Sequence, residues 1–312
     1  MFSLLAALTL YIAFAPVQPA LSVGDYLPRQ LPRAHLTLAA KRDTVPPPVR
    51  KDPDRLGIET AAKAVSVIDW RSGSVLYEKN AGQPLPIASL TKLMTALTVL
   101  DGQPDFGRTV AFSADDQQAG DIPLLIPGES FTVADLFNLS LIASSNDATA
   151  ALARSTGLTR AEFLAKMNSM AREIGMSQAE FYDVTGLDER NRASARDVAL
   201  LVRKALSVDL IRETVSRQAY DFAPLGGSRR HVRSTDQLLE SFLSRPPYSF
   251  LGGKTGYIDE AGYCFGAAAQ NAAGDRVVAV VLGAASKEER FREVKKLIYW
   301  AFDAYAWPDR GN

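Results

Sequence analysis

The chain carries one cysteine, Cys264, so no internal disulfide can form, and only two histidines, His35 and His231. Those residues cannot assemble a Cys/His zinc site. They also nearly exclude a Ser-His-Asp triad. His35 lies in a proline-rich stretch, and His231 has nothing around it like a nucleophile elbow. Cys264 sits in Tyr263-Cys264-Phe265-Gly266-Ala267, which reads as a buried strand, so its thiol is expected to be packed rather than reactive. An excess of one charge is missing too: 35 Lys and Arg stand against 35 Asp and Glu. Nucleic acid is therefore not an expected partner. No cofactor or metal is implied, and there are no internal repeats. The length allows one large domain or two small ones.

Residues 1–23 lack any charge and are mostly apolar, which suits a secretory signal with small residues Ala20 and Ser22 near a cleavage point. The missing basic n-region and the crowding by Pro16 and Pro19 leave an N-terminal membrane anchor as the second reading. Either way the chain is expected to be exported, to the periplasm or cell envelope. Residues 24–58 are rich in proline and arginine, include Pro46-Pro47-Pro48, and read as an exposed linker. Residues 59–306 are the expected folded domain.

Within that domain, apolar runs at 64–70 and 75–78 flank Arg71-Ser72-Gly73-Ser74 and predict a β-hairpin. A helix is expected over 89–101, with Leu90, Leu93, Met94, Leu97 and Leu100 as a wide apolar stripe. Capping boxes at Thr132/Asp135, Thr159/Glu162 and Ser194/Asp197 announce three more helices, and Gly175 ends the second of them. Three strands at 250–257, 263–270 and 276–283 precede a last amphipathic helix over 288–305. Strands at both ends with helices between predict an α+β fold with one antiparallel sheet covered by helices.

Three short segments carry the chemistry: Ser89-Leu90-Thr91-Lys92, Ser144-Ser145-Asn146 and Lys254-Thr255-Gly256. Each alone is weak. A chain of this size holds roughly one S-x-x-K by accident, SSND is ordinary turn sequence, and K-T-G could end any strand. A serine nucleophile needs a base, and one helical turn puts Lys92 beside Ser89. In this order the three are the motif set of β-lactamases and penicillin-binding proteins.

The surrounding segments LPIASLTKLMTA, LIASSNDATAALA, VTGLDERNRASARDVALLV and GGKTGYIDEAGYCF resemble the serine-type D-alanyl-D-alanine carboxypeptidases, the low-molecular-mass penicillin-binding proteins. The endopeptidases of the same family look similar. The resemblance spans residues 64–300. It implies a β-lactamase/transpeptidase-like fold, with a five-stranded antiparallel sheet and an all-helical lobe. It also implies roles. Ser89 is the nucleophile, Lys92 the base and Ser144 the proton bridge to the leaving amine. Lys92 serves as base only if burial and a second cation, Lys254, favour its neutral form. Asn146 holds the substrate amide, while Lys254 and Thr255 meet the terminal carboxylate. Gly256 keeps the strand clear for substrate, and Ser89 and Tyr257 supply oxyanion N–H groups. Arg290 matches by position an arginine that helps bind the carboxylate, with a solvated helix charge, beside Lys287 and Arg292, as the second reading.

The implied partners are peptidoglycan stem peptides, with β-lactam antibiotics as covalent inhibitors. Removal of terminal D-Ala is the expected reaction, and crosslink cleavage is the alternative. A class A β-lactamase would need a Glu-x-x-Leu-Asn element after the second motif, where this chain reads Thr185-Gly186-Leu187-Asp188-Glu189. A non-catalytic penicillin-binding module would be expected to have lost a catalytic residue, and none is lost here. The small β domain and C-terminal amphipathic anchor of many family members are expected to be absent.

Overall fold

All of Ala64–Asp69 is buried, as is every residue but the first of Arg276–Ala284. Strands with no polar face must be covered on both sides, and the architecture follows from that requirement. A computed structural model describes residues 45–54, 57–120 and 123–308. The expected signal or anchor at 1–23 and the linker through residue 44 lie outside the described residues.

The central sheet contains β1 (Ala64–Asp69), β2 (Val75–Lys79), β3 (Ser249–Ile258), β4 (Gly262–Gln270) and β5 (Arg276–Ala284). Its five strands run in the order β3-β4-β5-β1-β2, antiparallel throughout. The helices are α1 (Thr91–Asp101), α2 (Val133–Asn138), α3 (Asn146–Arg154), α4 (Arg160–Ile174), α5 (Ala195–Leu206), α6 (Asp209–Val215) and α7 (Lys287–Ala304). On one face of the sheet, Phe265, Ala267, Val277, Ala279 and Val281 pack against Phe291, Val294, Leu297 and Ile298 of α7. On the other, Ala268, Val278, Val280 and Leu282 join the core built on α1 and α5. Gly266 brings α5 close: a Cβ there would lie 2.7 Å from Val202 Cγ2.

The helical lobe follows its capping boxes. Thr132, Thr159 and Ser194 each accept a hydrogen bond from the backbone three residues on, and the paired carboxylate returns to the cap. Each box stabilises its helix by about 1 kcal/mol. Gly175 closes α4 at φ +93°. Helix α1 lies in the middle of the lobe, with residues from Thr91 through Val99 buried.

The structure departs from the sequence reading in several places. The helix expected from Ser89 starts at Thr91, and Ser89 instead lies on a 3-10 turn, Ala88–Leu90. Ala88, which opens that turn, has a φ of +48°. Within the segment expected as linker, Val49–Arg50 pairs with Tyr305–Ala306, and Lys51 Nζ donates to the Asp303 carbonyl at 3.0 Å. This pairing uses backbone groups and leaves no apolar periodicity to read. Helix α6 and the small ladders joining Leu85–Pro86 to Arg192–Ala193 and Ala219–Phe222 to Arg230–Arg233 were not anticipated either. No helix among the described residues is long and apolar enough to cross a membrane.

Candidate active site

A cleft of about 400 Å³ opens between the free edge of β3 and the helical lobe, and Ser89, Ser144, Thr255 and Arg290 all line it. Ser89 is held there by its turn. Leu90 N–H donates to Ile87 O at 3.2 Å, and two glycines let neighbouring chain approach. Gly256 on β3 comes so near that a Cβ would sit 2.9 Å from Ile87 O and 3.2 Å from the Ser89 nitrogen. Gly186, at φ +88°, lies against the other side, where a Cβ would be 1.9 Å from Ala88 O.

Lys92 is fully buried. Its Nζ donates to Ser89 Oγ at 2.8 Å, to Asn146 Oδ1 at 2.6 Å and to the Thr185 carbonyl at 2.9 Å. The Thr185 carbonyl is aimed by a loop wound around one carboxylate. Asp183 accepts from Gly186 N at 2.7 Å, from Thr185 Oγ1 at 2.7 Å and from Leu187 N at 3.1 Å. Fully buried Asn191 ties this loop down. Its Oδ1 accepts from Tyr182 N at 2.6 Å, and its Nδ2 donates to Thr91 Oγ1 at 3.1 Å. Thr95 Oγ1 adds a bond to Val184 O at 2.6 Å.

The second motif bridges α2 and α3. Ser144 takes the left-handed conformation, φ +61°, a cost of order 1–3 kcal/mol for a residue with a side chain. Ser145 caps α3 through its Oγ, which accepts from Ala148 N at 3.1 Å, and Asn146 is the first residue of that helix. Asn146, read from sequence as a holder of the substrate amide, also accepts from Lys92 Nζ with its side-chain oxygen. Ser144 was expected to bridge Lys92 to the leaving group; its Oγ accepts from Lys254 Nζ at 2.7 Å.

Lys254 is buried at the centre of β3, and its Nζ also donates to Thr255 O at 3.1 Å. Burial first, then the positive charges of Lys92 and Arg290, hold the Lys254 ammonium well below the ordinary lysine range, against the pull of Asp236. Arg290 is 5% exposed and donates from Nη1 to the Gly256 carbonyl at 3.0 Å. It packs over the rings of Tyr263 and Phe291. The solvated-charge reading of Arg290 is therefore corrected, whereas its neighbours Lys287 and Arg292 are exposed. Tyr257 is half exposed at the rim, its hydroxyl bonded to Asp259 at 2.6 Å. Cys264 is fully buried in β4, and burial pushes its thiol up to about 11.

One wall was missed by sequence reasoning. Residues 234–237 line the same cleft through Ser234, Thr235 and Gln237. Thr235 Oγ1 lies 2.7 Å from Thr255 Oγ1, and Thr235 N donates to Ile142 O at 3.1 Å, so this residue ties the third motif to the run into the second. Next to it, buried Asp236 accepts from Leu238 N at 2.8 Å with Oδ1, while Oδ2 has no partner among the described residues. Burial raises that carboxyl to about 7, opposed by Lys254 and Arg290. A signal for this wall was present in Ser234-Thr235-Asp236, polar turn residues set before an apolar pair. Chemically, the cleft offers a hydroxyl against a buried amine, a second hydroxyl on a second amine, and a cationic end lined by Arg290 and Lys287.

Comparison with known proteins agrees with this geometry. The family described as D-alanyl-D-alanine carboxypeptidase, peptidase S11, matches residues 49–286. The chain is 32% identical over 252 residues to D-alanyl-D-alanine carboxypeptidase DacF of Bacillus subtilis, covering 78% of this chain and 63% of that protein. It thus spans about three fifths of the length of that relative. It is 29% identical to a D-alanyl-D-alanine endopeptidase of Pseudomonas aeruginosa, over 85% of this chain and 84% of the other. The crystal structure of penicillin-binding protein D2 from Listeria monocytogenes in its cefotaxime-bound form superposes with a TM-score of 0.69 at 32% identity, covering 80% of this chain and 100% of that one. The transpeptidase-like fold, the joint site and the match over most of the described chain lead to one assignment: the chain belongs to the D-alanyl-D-alanine carboxypeptidase family, peptidase S11.

Proposed function

We propose that this chain is a serine D,D-peptidase that removes the terminal D-Ala from peptidoglycan stem peptides. The observation that carries the reading is the fully buried Lys92 amine 2.8 Å from the Ser89 hydroxyl. Lys92 and Lys254 are both buried and their charges oppose each other, with Arg290 adding to the repulsion at Lys254, so the pair does not favour two ammonium groups and a neutral amine is accessible to act as base. Neutral Lys92 takes the hydroxyl proton as Ser89 Oγ attacks the penultimate D-Ala carbonyl. The N–H groups of Ser89 and Tyr257 hold the oxyanion. Ser144 passes a proton to the leaving amine, terminal D-Ala departs, and water hydrolyses the acyl ester to free the serine.

Lys254, Thr255 and Arg290 receive the terminal carboxylate in this reading, and Gly256 leaves room for substrate beside the strand. Asn146 orients Lys92 through its oxygen and keeps its NH₂ for the substrate amide. β-Lactams acylate Ser89 and are released slowly, because the loop at 183–188 gives Lys92 the Thr185 carbonyl rather than a carboxylate that could activate water. The apolar segment at 1–23 directs export to the cell envelope, as a signal or as a membrane anchor.

Likeness to an endopeptidase along most of both chains makes crosslink cleavage the second reading, since both reactions use the same groups. Digestion of purified pentapeptide monomers and of crosslinked dimers, with products resolved by mass, tests the proposal. Loss of one D-Ala from pentapeptides is the expected result, and conversion of dimers to monomers would assign crosslink cleavage. No product from either overturns the reading.

A further inference from the structure

An aromatic surface lies beside the catalytic cleft and plays no part in the chemistry described above. Phe242 and Tyr299 are 44% and 50% exposed. Their ring centroids are 6.1 Å apart, and Tyr248 completes the cluster at 5.8 Å from Phe242 and 6.4 Å from Tyr299. The cluster is braced from beneath, with Tyr248 stacked on Phe302 at 5.8 Å. Lys295 Nζ lies 5.9 Å from the Phe242 ring. Phe242, Tyr248 and Tyr299 thus form one contiguous aromatic patch that is partly open to water.

This surface is continuous with the cleft. A second groove of about 320 Å³ runs past it, lined by Glu240, Glu288, Arg292 and Lys295, and Gln237 borders both that groove and the catalytic cleft. On α7, Glu288, Arg292, Lys295 and Tyr299 are spaced four, three and four residues apart, so they form one stripe along the helix. The stripe is about 16 Å long by the helical rise. It starts one residue from Lys287, at the cleft, and ends at the aromatic rings. Its charges are balanced, Glu240 and Glu288 against Arg292 and Lys295. A polymer rich in hydroxyl and amide groups finds donors and acceptors along the whole length of this stripe.

We propose that this stripe and the Phe242–Tyr248–Tyr299 cluster bind the glycan strand of the wall polymer, sugar faces on the rings and hydroxyls on the charged rim. The inference rests on the peptidase reading, because the strand would carry the stem peptide that enters the cleft. It adds a second point of attachment. Polymer held on α7 delivers its stem to Ser89 at raised local concentration, while a free peptide gains nothing from it.

The test uses the whole chain, purified glycan strands stripped of peptide, and a short peptide acyl donor. Tyr299→Ala is expected to weaken co-sedimentation or titrated binding to peptide-free glycan roughly threefold to tenfold, the worth of one aromatic contact. Tyr299→Phe, which keeps the ring, should retain most of the binding. Phe242→Ala should act in the same direction. Turnover of the short donor should be unchanged in all three variants. Wild-type binding to stripped glycan that Tyr299→Ala leaves intact would overturn the proposal, as would no binding by the wild type. Binding to phospholipid vesicles but not to glycan would also overturn it, making the patch a membrane contact. Failure of short-donor turnover in the wild type would instead count against the peptidase reading, so the two failures are separable.

Discussion

Thr235 and Thr255 face each other with their hydroxyl oxygens 2.7 Å apart, across a gap of 20 residues in sequence. Two hydroxyls in one hydrogen bond use one proton, and the other is left to point into the cleft. Thr235→Val removes the partner that fixes the Thr255 rotor. For a peptide with a free terminal carboxylate, kcat/KM should fall roughly threefold to tenfold, the range of one hydrogen bond. A donor whose terminus is amidated should lose much less. Steady-state kinetics on the two donors checks this.

Gly186 meets Ala88 closely enough to make the loop and the serine turn one unit. Gly186→Ala would place a Cβ 1.9 Å from Ala88 O in a residue at φ +88°. The left-handed backbone alone should cost about 1–2 kcal/mol, and the clash must move either Ala88 or the Thr185 carbonyl. Both a lower Tm and slower penicillin acylation are expected. Thermal melts and labelling time courses on the same sample would reveal whether stability and acylation fall together.

Lys92→Arg keeps the positive charge and removes the base, because arginine holds its proton across the working pH range. Acylation by a penicillin should drop at least about a hundredfold. Stopped-flow acylation that stayed within a few fold of wild type would mean that Lys92 acts only as a fixed charge.

Asp236 predicts a pH dependence of stability. Burial raises its carboxyl from 3.8 to about 7, so between those values the unfolded chain has released a proton that the folded chain keeps. Stability contributed by this group is therefore present at acid pH and is lost as pH rises through that window. Asp236→Asn removes the term while keeping the oxygen that accepts from Leu238 N. The variant should match wild type in denaturant titrations near about pH 4 and exceed it near about pH 8. A gap that stays constant with pH would show that the folded chain does not hold the Asp236 proton above the unfolded value.

The sheet, α7 and the capped helices were legible because each is written in local periodicity or in a box of four residues. The three motifs were legible for the same reason. Their mutual wiring was not. The bond from Lys92 to the Thr185 carbonyl uses a backbone oxygen, which has no signature in sequence, and it is aimed by Asp183 and Asn191 through contacts that only the folded loop creates. Thr235 lacks a motif of its own and matters through Thr255. The inward turn of Arg290 could have been found: it stands four, seven and eleven residues before Val294, Leu297 and Ala301, on the stripe that faces the sheet. The positive φ of Ala88 could not, since no local residue pattern marks it and the glycines that lie against the turn, Gly186 and Gly256, are distant in sequence.

The central claim is that Ser89 Oγ forms the acyl bond, and one measurement meets it directly. Wild type and Ser89→Ala are incubated with a labelled penicillin, and the intact masses are recorded beside far-UV circular dichroism. The wild type should gain the mass of one penicilloyl group, lodged on the peptide that contains Ser89. Ser89→Ala should gain none while keeping the wild-type spectrum, because alanine fits the 3-10 turn that holds the serine. Acylation of folded Ser89→Ala at the wild-type rate would place the nucleophile elsewhere and contradict the account.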